Sequence, residues 1–251
     1  MASGDTTRHA TRRGVPVAAA VLPVARVCVD VPLAHLDRPF DYQVPDRFAD
    51  TAMPGVRVRV RFAGQLVDGF VLERVGESGH KGKLAFLEKV VSPEPVLSPD
   101  IARLARAVAD RYGGMLIDVL RLAIPPRHAQ AEKAEKADES GKAAPPDVTA
   151  WGRYPRGAAY LDAVGQGRPA RAVWHAVPME DWPARLAEAA ACAAGSGRGA
   201  ILVVPDHRDS ARVYAACARL LGDDGVVSLA ADLGPAERYR RWLAVRRGTV
   251  R

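Results

Sequence analysis

The sequence predicts a chain in two parts: an α+β head, built on a β-barrel-like module with two helices, followed by a partial parallel α/β lobe. Three observations carry that reading. Five short strand-like runs crowd residues 24–91 and are divided by Pro- and Gly-containing turns, as in small barrels and sandwiches. From Trp151 onward, helical patterns alternate with continuous apolar runs, which is the order of consecutive β-α-β units with right-handed crossovers. Between the two lies Gln130 to Val148, QAEKAEKADESGKAAPPDV, with almost no bulky apolar side chain, which reads as a disordered linker. The expected domains are a flexible leader over 1–23, a β domain over 24–128, a linker over 129–150 and a lobe over 151–251 that stops inside its sheet.

In the leader, Arg12-Arg13 precedes an apolar run from Val15 to Ala25 that imitates a twin-arginine export signal. Pro16 and Pro23 interrupt the run and it continues into the first strand, so a leader is favoured over export. Strands are then expected near Val24 to Val31, Phe40 to Val44, Val56 to Phe62, Val67 to Val75 and Leu84 to Val91. Ser98-Pro99-Asp100 supplies an N-cap hydroxyl, a first-turn proline and an acid for the helix dipole. Ile101, Leu104, Ala105, Val108 and Tyr112 follow at helical spacing, and Gly113-Gly114 ends the run. A second helix from Leu116 stops at Pro125-Pro126. In the lobe, helices are expected at Ala184 to Ala194, Asp209 to Leu221 and Pro235 to Val245, with buried strands at Ile201 to Val204 and Val226 to Leu229.

Charge narrows the partners. The net +7, with pI near 9.6, divides into +4, −2 and +5 over residues 1–128, 129–150 and 151–251, so both predicted domains are basic and the connector is not. A polyanion suits that balance, although solvated surfaces also carry dispersed positive charge. Cys28, Cys192 and Cys217 stand far apart with no Cys-x-x-Cys pair, which fits a reduced, cytoplasmic protein and gives no metal-ligand spacing. No run is long enough to span a membrane, so no membrane partner is expected.

Val56-Arg57-Val58-Arg59-Val60-Arg61-Phe62 alternates apolar and basic residues with period two, placing Arg57, Arg59 and Arg61 on one face of a strand. Same-face side chains lie about 6.6 to 7 Å apart, close to the repeat of an extended nucleic-acid strand, and a guanidinium holds phosphate with two hydrogen bonds. The same alternation describes a solvated outer face, and both readings stand at this point. Upstream, Phe40 and Tyr42 flank Asp41. A ring can stack a base and a carboxylate can accept from an exocyclic amine or a sugar hydroxyl, yet alternation sends the two rings to one side and Asp41 to the other. The competing reading places both rings in the core and Asp41 at a turn.

These residues carry a resemblance. VPL at 31–33, RPFDY at 38–42, GVRVRVRF at 55–62 with a following glycine, SPEPVL at 92–97 and DVLRLAIPP at 118–126 resemble, in that order, the N-terminal domain of the primosomal protein N-prime (PriA) family of replication-restart helicases. The resemblance implies a β-barrel-like module that captures the 3′ end of nascent DNA at stalled or branched forks. It places the family's aromatic-Asp-aromatic motif on Phe40, Asp41 and Tyr42 and its pocket glycine on Gly64, or on Ala63 with a one-residue gap. A basic residue of the family falls near Ala85, with Lys83 and Lys89 as substitutes. It further implies a RecA-like first motor lobe over VVPD at 203–206 and LGPAERYRRWLAVRRG at 233–248, and DNA, other primosome proteins and single-stranded DNA-binding protein as partners. The family's winged-helix domain has no room in the linker, and its zinc-binding cysteine cluster has no counterpart here.

A motor lobe needs G-x-x-x-x-G-K-[ST] between a strand and a helix, where backbone amides cradle phosphate while Lys and a hydroxyl serve the γ-phosphate and magnesium. That junction here is His175-Ala176-Val177-Pro178-Met179-Glu180-Asp181-Trp182-Pro183, with no Gly, Lys, Ser or Thr and two carboxylates where a triphosphate would sit. Glu180 and Asp181 read as N-terminal helix acids. Gly195-Ser196-Gly197-Arg198-Gly199 follows a helix and precedes a strand, the wrong end for ligand binding, and reads as a helix C-cap. His175 and His207 have no partner in any motif. Arg238, Arg240, Arg241, Arg246 and Arg247 surround the core-like Tyr239 and Trp242, which leaves a solvated helix face. The family uses ATP, magnesium and zinc, and none is expected in this chain. The sequence therefore points to a DNA-binding protein of replication restart without helicase activity; an ATP-dependent 3′-to-5′ helicase and a protein-interaction scaffold for primosome assembly stay open beside it.

Overall fold

The computed structural model describes residues 16–133 and 145–250. The twin-arginine pair and most of the expected linker lie outside them. Two compact units divide the chain, Met1–Ile124 and Pro125–Arg251.

The first unit is an antiparallel sheet of β1 (Val24–Val29), β2 (Phe40–Gln43), β3 (Arg57–Phe62), β4 (Gln65–Val75) and β5 (Lys89–Ser92), in the order β2-β1-β4-β3-β5. The expected barrel is not closed. Its edges meet only where the connection before β5 crosses Gln43, which donates to the Ala85 carbonyl at 2.8 Å and accepts from the Leu87 amide at 2.9 Å. At the next residue, Glu88 donates to the Arg59 carbonyl, so the same segment leaves β2 and joins β3. A single bridge of this kind is too short to form a ladder, and the sheet stays open.

Period-two alternation sets the core. Ala25, Val27, Val29, Tyr42, Val44, Val56, Val58, Val60, Val71 and Leu87 all point to one face and are buried. β3 and β4 are joined by Ala63-Gly64 alone, with φ of 47° and 82°, the positive values that a two-residue hairpin turn demands. Part of the expected leader is fixed as well: Ala19 donates to the Val44 carbonyl and is 3% exposed.

Two helices follow, α1 (Pro99–Tyr112) and α2 (Leu116–Ala123). The Ser98 hydroxyl accepts from the Ile101 amide, and Gly113 closes α1 in the left-handed conformation. The face of α1 that packs inward differs from the one the spacing predicts. Ala105 and Ala109 are buried, whereas Ile101, Leu104 and Tyr112 are exposed, because the small side chains let the helix approach closely. Asp37 pins the α1–α2 corner by accepting from the Leu116 amide at 2.9 Å and from Arg106 at 2.7 Å.

The second unit holds α3 (Ala129–Lys133), α4 (Gly157–Gly165), α5 (Trp182–Gly195), α6 (His207–Leu221) and α7 (Pro235–Arg247). The helices expected at 184–194, 209–221 and 235–245 are all present, whereas α3 and α4 have no counterpart in the sequence reading. The start of the expected linker is α3, whose Ala131 packs with Tyr239 and Leu243. The predicted parallel sheet is absent among the described residues: 201–204 and 226–229 join no ladder. A strand exists only through a partner, and neither run has one; Ile201 and Val203 are 88% and 90% exposed. The second unit is thus a helical assembly, and the molecule as a whole is α+β.

Burial predicts thiol behaviour. Desolvation, reinforced by the charges of Asp37 and Asp30, pushes the Cys28 thiol up to about 12, and burial also raises Cys217. In a thiol-reagent titration at pH 8, both cysteines should stay unreactive in the folded protein and react on addition of denaturant.

Candidate nucleic-acid interface

The register of three strands builds the site. Arg26 on β1 faces Asp41 on β2 and, across the other edge, Glu73 on β4. Arg26 and Asp41 alternate with core residues and Glu73 is exposed opposite Arg26, so all three project from the outer face. A bulge between Arg26 and Val27 shifts the β1–β4 pairing by one residue and keeps Glu73 opposite Arg26. The Arg26 guanidinium donates to Glu73 at 2.7 Å, and its Nε lies 3.7 Å from Asp41 Oδ1. The Glu73 hydrogen bond and charge raise the Arg26 pKa and hold it cationic. The other Asp41 oxygen accepts from the Ser78 hydroxyl at 2.5 Å. These contacts leave the Asp41 side chain 17% exposed.

The rings flanking Asp41 part company. Tyr42 is 4% exposed, its hydroxyl donates to the Arg61 carbonyl at 3.3 Å, and burial pushes its phenol up to about 12. It is a core residue, and a base cannot stack on it. Phe40 is half-buried, edge-on to Phe62 with centroids 4.8 Å apart, and Arg38 lies over its ring at 4.7 Å. Of the two, only Phe40 keeps exposed ring surface, and it packs at the edge of the core on the face of β2 opposite Asp41. Gly64 sits in the hairpin turn directly after Phe62 and Ala63, and a Cβ there would meet nothing within 4 Å.

The basic strand is on the outer face, as its alternation predicts, but its charges are already engaged. Arg59 forks onto Asp68, its cross-strand partner, at 2.7 and 3.2 Å. Arg61 reaches Glu88 at 3.3 Å and the Gly64 carbonyl at 3.4 Å. Arg57 lies over the Phe70 ring at 5.0 Å. Such exposed pairs hold a guanidinium weakly, so phosphate can compete for it. Lys89, exposed opposite Arg59, adds to the stripe, whereas Ala85 gives its carbonyl to the Gln43 amide and Lys83 is exposed in the preceding segment. Sequence reasoning missed Arg26, Glu73 and Ser78. Pairing β1 with β2 in register would have found Arg26; nothing local marks Ser78. A cavity of about 540 Å³ opens elsewhere in the unit, between Cys28 and Leu72 on the sheet and Ala102, Arg106 and Leu116 on the helices.

In the second unit, the junction at 175–183, which the sequence showed to lack a phosphate-binding loop, is tied down internally. The Tyr154 hydroxyl accepts from the Val177 amide at 3.2 Å and donates to Glu180 at 2.9 Å. Asp181 caps α5 by accepting from Ala184, as its sequence position implies. Glu180 does not act as a helix acid: its side chain is 5% exposed and lies between Arg153 and Arg185. Arg185 is also bound to Glu188, which accepts from the Trp151 indole at 2.8 Å. The five arginines of the last helical stretch are similarly occupied where their partners are seen: Arg238 on the Ala230 and Ala231 carbonyls, Arg240 and Arg241 on Glu237, Arg247 on the Glu132 carbonyl.

Residues 26–125, the sheet together with α1 and α2, match the PriA 3'DNA-binding domain (3'BD), and this sets the class of the first unit. Over a longer stretch the chain is similar to the probable replication restart protein PriA of Mycobacterium tuberculosis H37Rv, 53% identical over 219 residues, or 86% of this chain and 33% of that one. The Mycobacterium leprae protein of the same name is 49% identical over 221 residues, covering 86% and 34%. Replication restart protein PriA of Bacillus subtilis strain 168 is 30% identical over 125 residues, covering 49% and 16%. The chain belongs to the PriA family and spans about a third of the length of its mycobacterial relatives.

The placement of Tyr42 predicts its energetics. Tyr42→Ala should cost about 3–5 kcal/mol of stability in urea unfolding, whereas Tyr42→Phe, which gives up one hydrogen bond, should cost less than about 1 kcal/mol.

Proposed function

We propose that this chain binds DNA in replication restart, recognising the 3′ ends of strands at stalled or branched forks through Asp41. The observation that supports this most is the cross-strand placement of Asp41 beside Arg26 on the outer face of a domain of the 3′-end-binding class. An acceptor-only carboxylate attracts the hydroxyl or amine of a terminal nucleotide and repels a terminal phosphate. Phe40, half-buried on the opposite face of β2, backs the strand that carries Asp41, and Gly64 leaves room at the hairpin tip. Arg57, Arg59 and Arg61 attract the backbone, at the cost of loosening their present carboxylate partners.

The reading assigns this chain no ATP, magnesium or zinc, and no unwinding of its own. At the position of the phosphate loop, Tyr154, Glu180, Arg185 and Glu188 form a buried polar network. A triphosphate there would meet two carboxylates with low exposure. The second unit then serves as a degenerate helicase lobe of RecA-like ancestry, in a cytoplasmic protein. The scaffold reading has one observation in its favour: Ile101, Leu104 and Tyr112 on α1 are 39%, 58% and 81% exposed, an apolar stripe suited to a protein partner such as another primosome component or single-stranded DNA-binding protein.

In fluorescence anisotropy, a 3′-hydroxyl oligonucleotide should bind the chain more tightly than its 3′-phosphate twin, and Asp41→Ala should remove about tenfold of the 3′-hydroxyl affinity with little change for the 3′-phosphate strand. Equal affinity of the wild type for both ends would overturn the proposal. Arg61→Gln should weaken both strands alike and flatten the salt dependence of binding, since a phosphate contact carries no information about the terminus.

A further inference from the structure

We propose that Ser78 is a gate over Asp41, a specificity-determining residue whose hydroxyl occupies the carboxylate in the free protein and gives way to the hydroxyl of a strand end. The inference rests on the reading of Asp41 given above. Asp41 is only 17% exposed and its two oxygens face Arg26 and Ser78, so an incoming nucleotide competes with one of these partners. On the sheet side the backbone cannot yield, since both flanking strands are laddered, and Arg26 stays on the outer face beside Asp41 through its register with Glu73. The remaining neighbour is the connection after β4, Gly76-Glu77-Ser78-Gly79-His80-Lys81-Gly82-Lys83-Leu84, which joins no ladder before Ala85 reaches Gln43.

That segment is built to carry one hydroxyl to one carboxylate. Ser78 donates to Asp41 Oδ2 at 2.5 Å while accepting from the His80 amide at 3.0 Å, a local turn that aims the hydroxyl. Glycines flank it on both sides, and a Cβ on Gly76 or Gly79 would meet nothing within 4 Å, so the backbone there is neither pinned by packing nor restricted in φ. A terminal 3′-hydroxyl replaces Ser78 donor for donor, and Asp41 loses no hydrogen bond in the exchange. A terminal phosphate brings charge of the same sign and no strong donor, so it leaves the gate shut.

Ser78→Ala should tighten binding of a 3′-hydroxyl oligonucleotide by about fivefold and leave the 3′-phosphate strand unchanged, while Ser78→Thr should behave as wild type. In hydrogen exchange read by mass spectrometry, amides of residues 77–83 should exchange faster when the 3′-hydroxyl strand is added to the full chain. Unchanged or weaker binding by Ser78→Ala, or amides that become slower, would overturn the gate. The outcome is separable from the parent reading: if the wild type prefers the 3′-hydroxyl and Asp41→Asn abolishes that preference, the site stands and only the gate fails.

Discussion

The alignment of Arg26 between Asp41 and Glu73 is the constraint on which the first unit's chemistry depends. Three charged residues far apart in sequence meet because an antiparallel register puts them opposite one another and the pleat sends them away from the core. The same register places Arg59 on Asp68. A slip by one residue would bury these charges and expose Ala25, Val27 and Tyr42. The hydrophobic pattern that holds the sheet together therefore also fixes the site, and Tyr42 contributes to it from inside, as packing behind Asp41.

The second unit is organised at the start of α5 by a buried polar network. There Tyr154 bridges Val177 and Glu180, and Arg185 lies buried between Glu180 and Glu188. Burial outweighs the neighbouring guanidinium and indole and raises the Glu188 pKa, as expected of a carboxylate drawn out of water. A network of this kind is costly to break because removing one partner strands another. It makes the junction a rigid internal contact.

Most of the first unit was legible because its signals are local and repeated. Period-two alternation located the strands around Val24, Phe40, Val56 and Val67, whereas the fifth, expected over 84–91, forms only at Lys89–Ser92; the Ser98 cap with Gly113 bounded α1. The closure of the sheet was not legible, because it turns on two hydrogen bonds at Gln43 that no pattern encodes. The family motif led to Asp41, but the division of labour between Phe40 and Tyr42 follows from burial, and Arg26, Glu73 and Ser78 follow from pairing and loop path. In the second unit, Asp181 was readable as an acid at the start of a helix, where it caps α5, whereas the Asp206 cap of α6 was not read. The runs at 201–204 and 226–229 have strand composition without strand partners, and composition alone cannot supply a ladder.

The central claim is that the outer-face carboxylate of β2 receives the end of a strand. A crystal structure of the chain with a short 3′-hydroxyl oligonucleotide tests it most directly. The account requires a hydroxyl or amine of the terminal nucleotide within hydrogen-bond distance of Asp41, beside Arg26. A nucleotide seated instead in the cavity between Cys28 and Arg106, with Asp41 untouched, would contradict it.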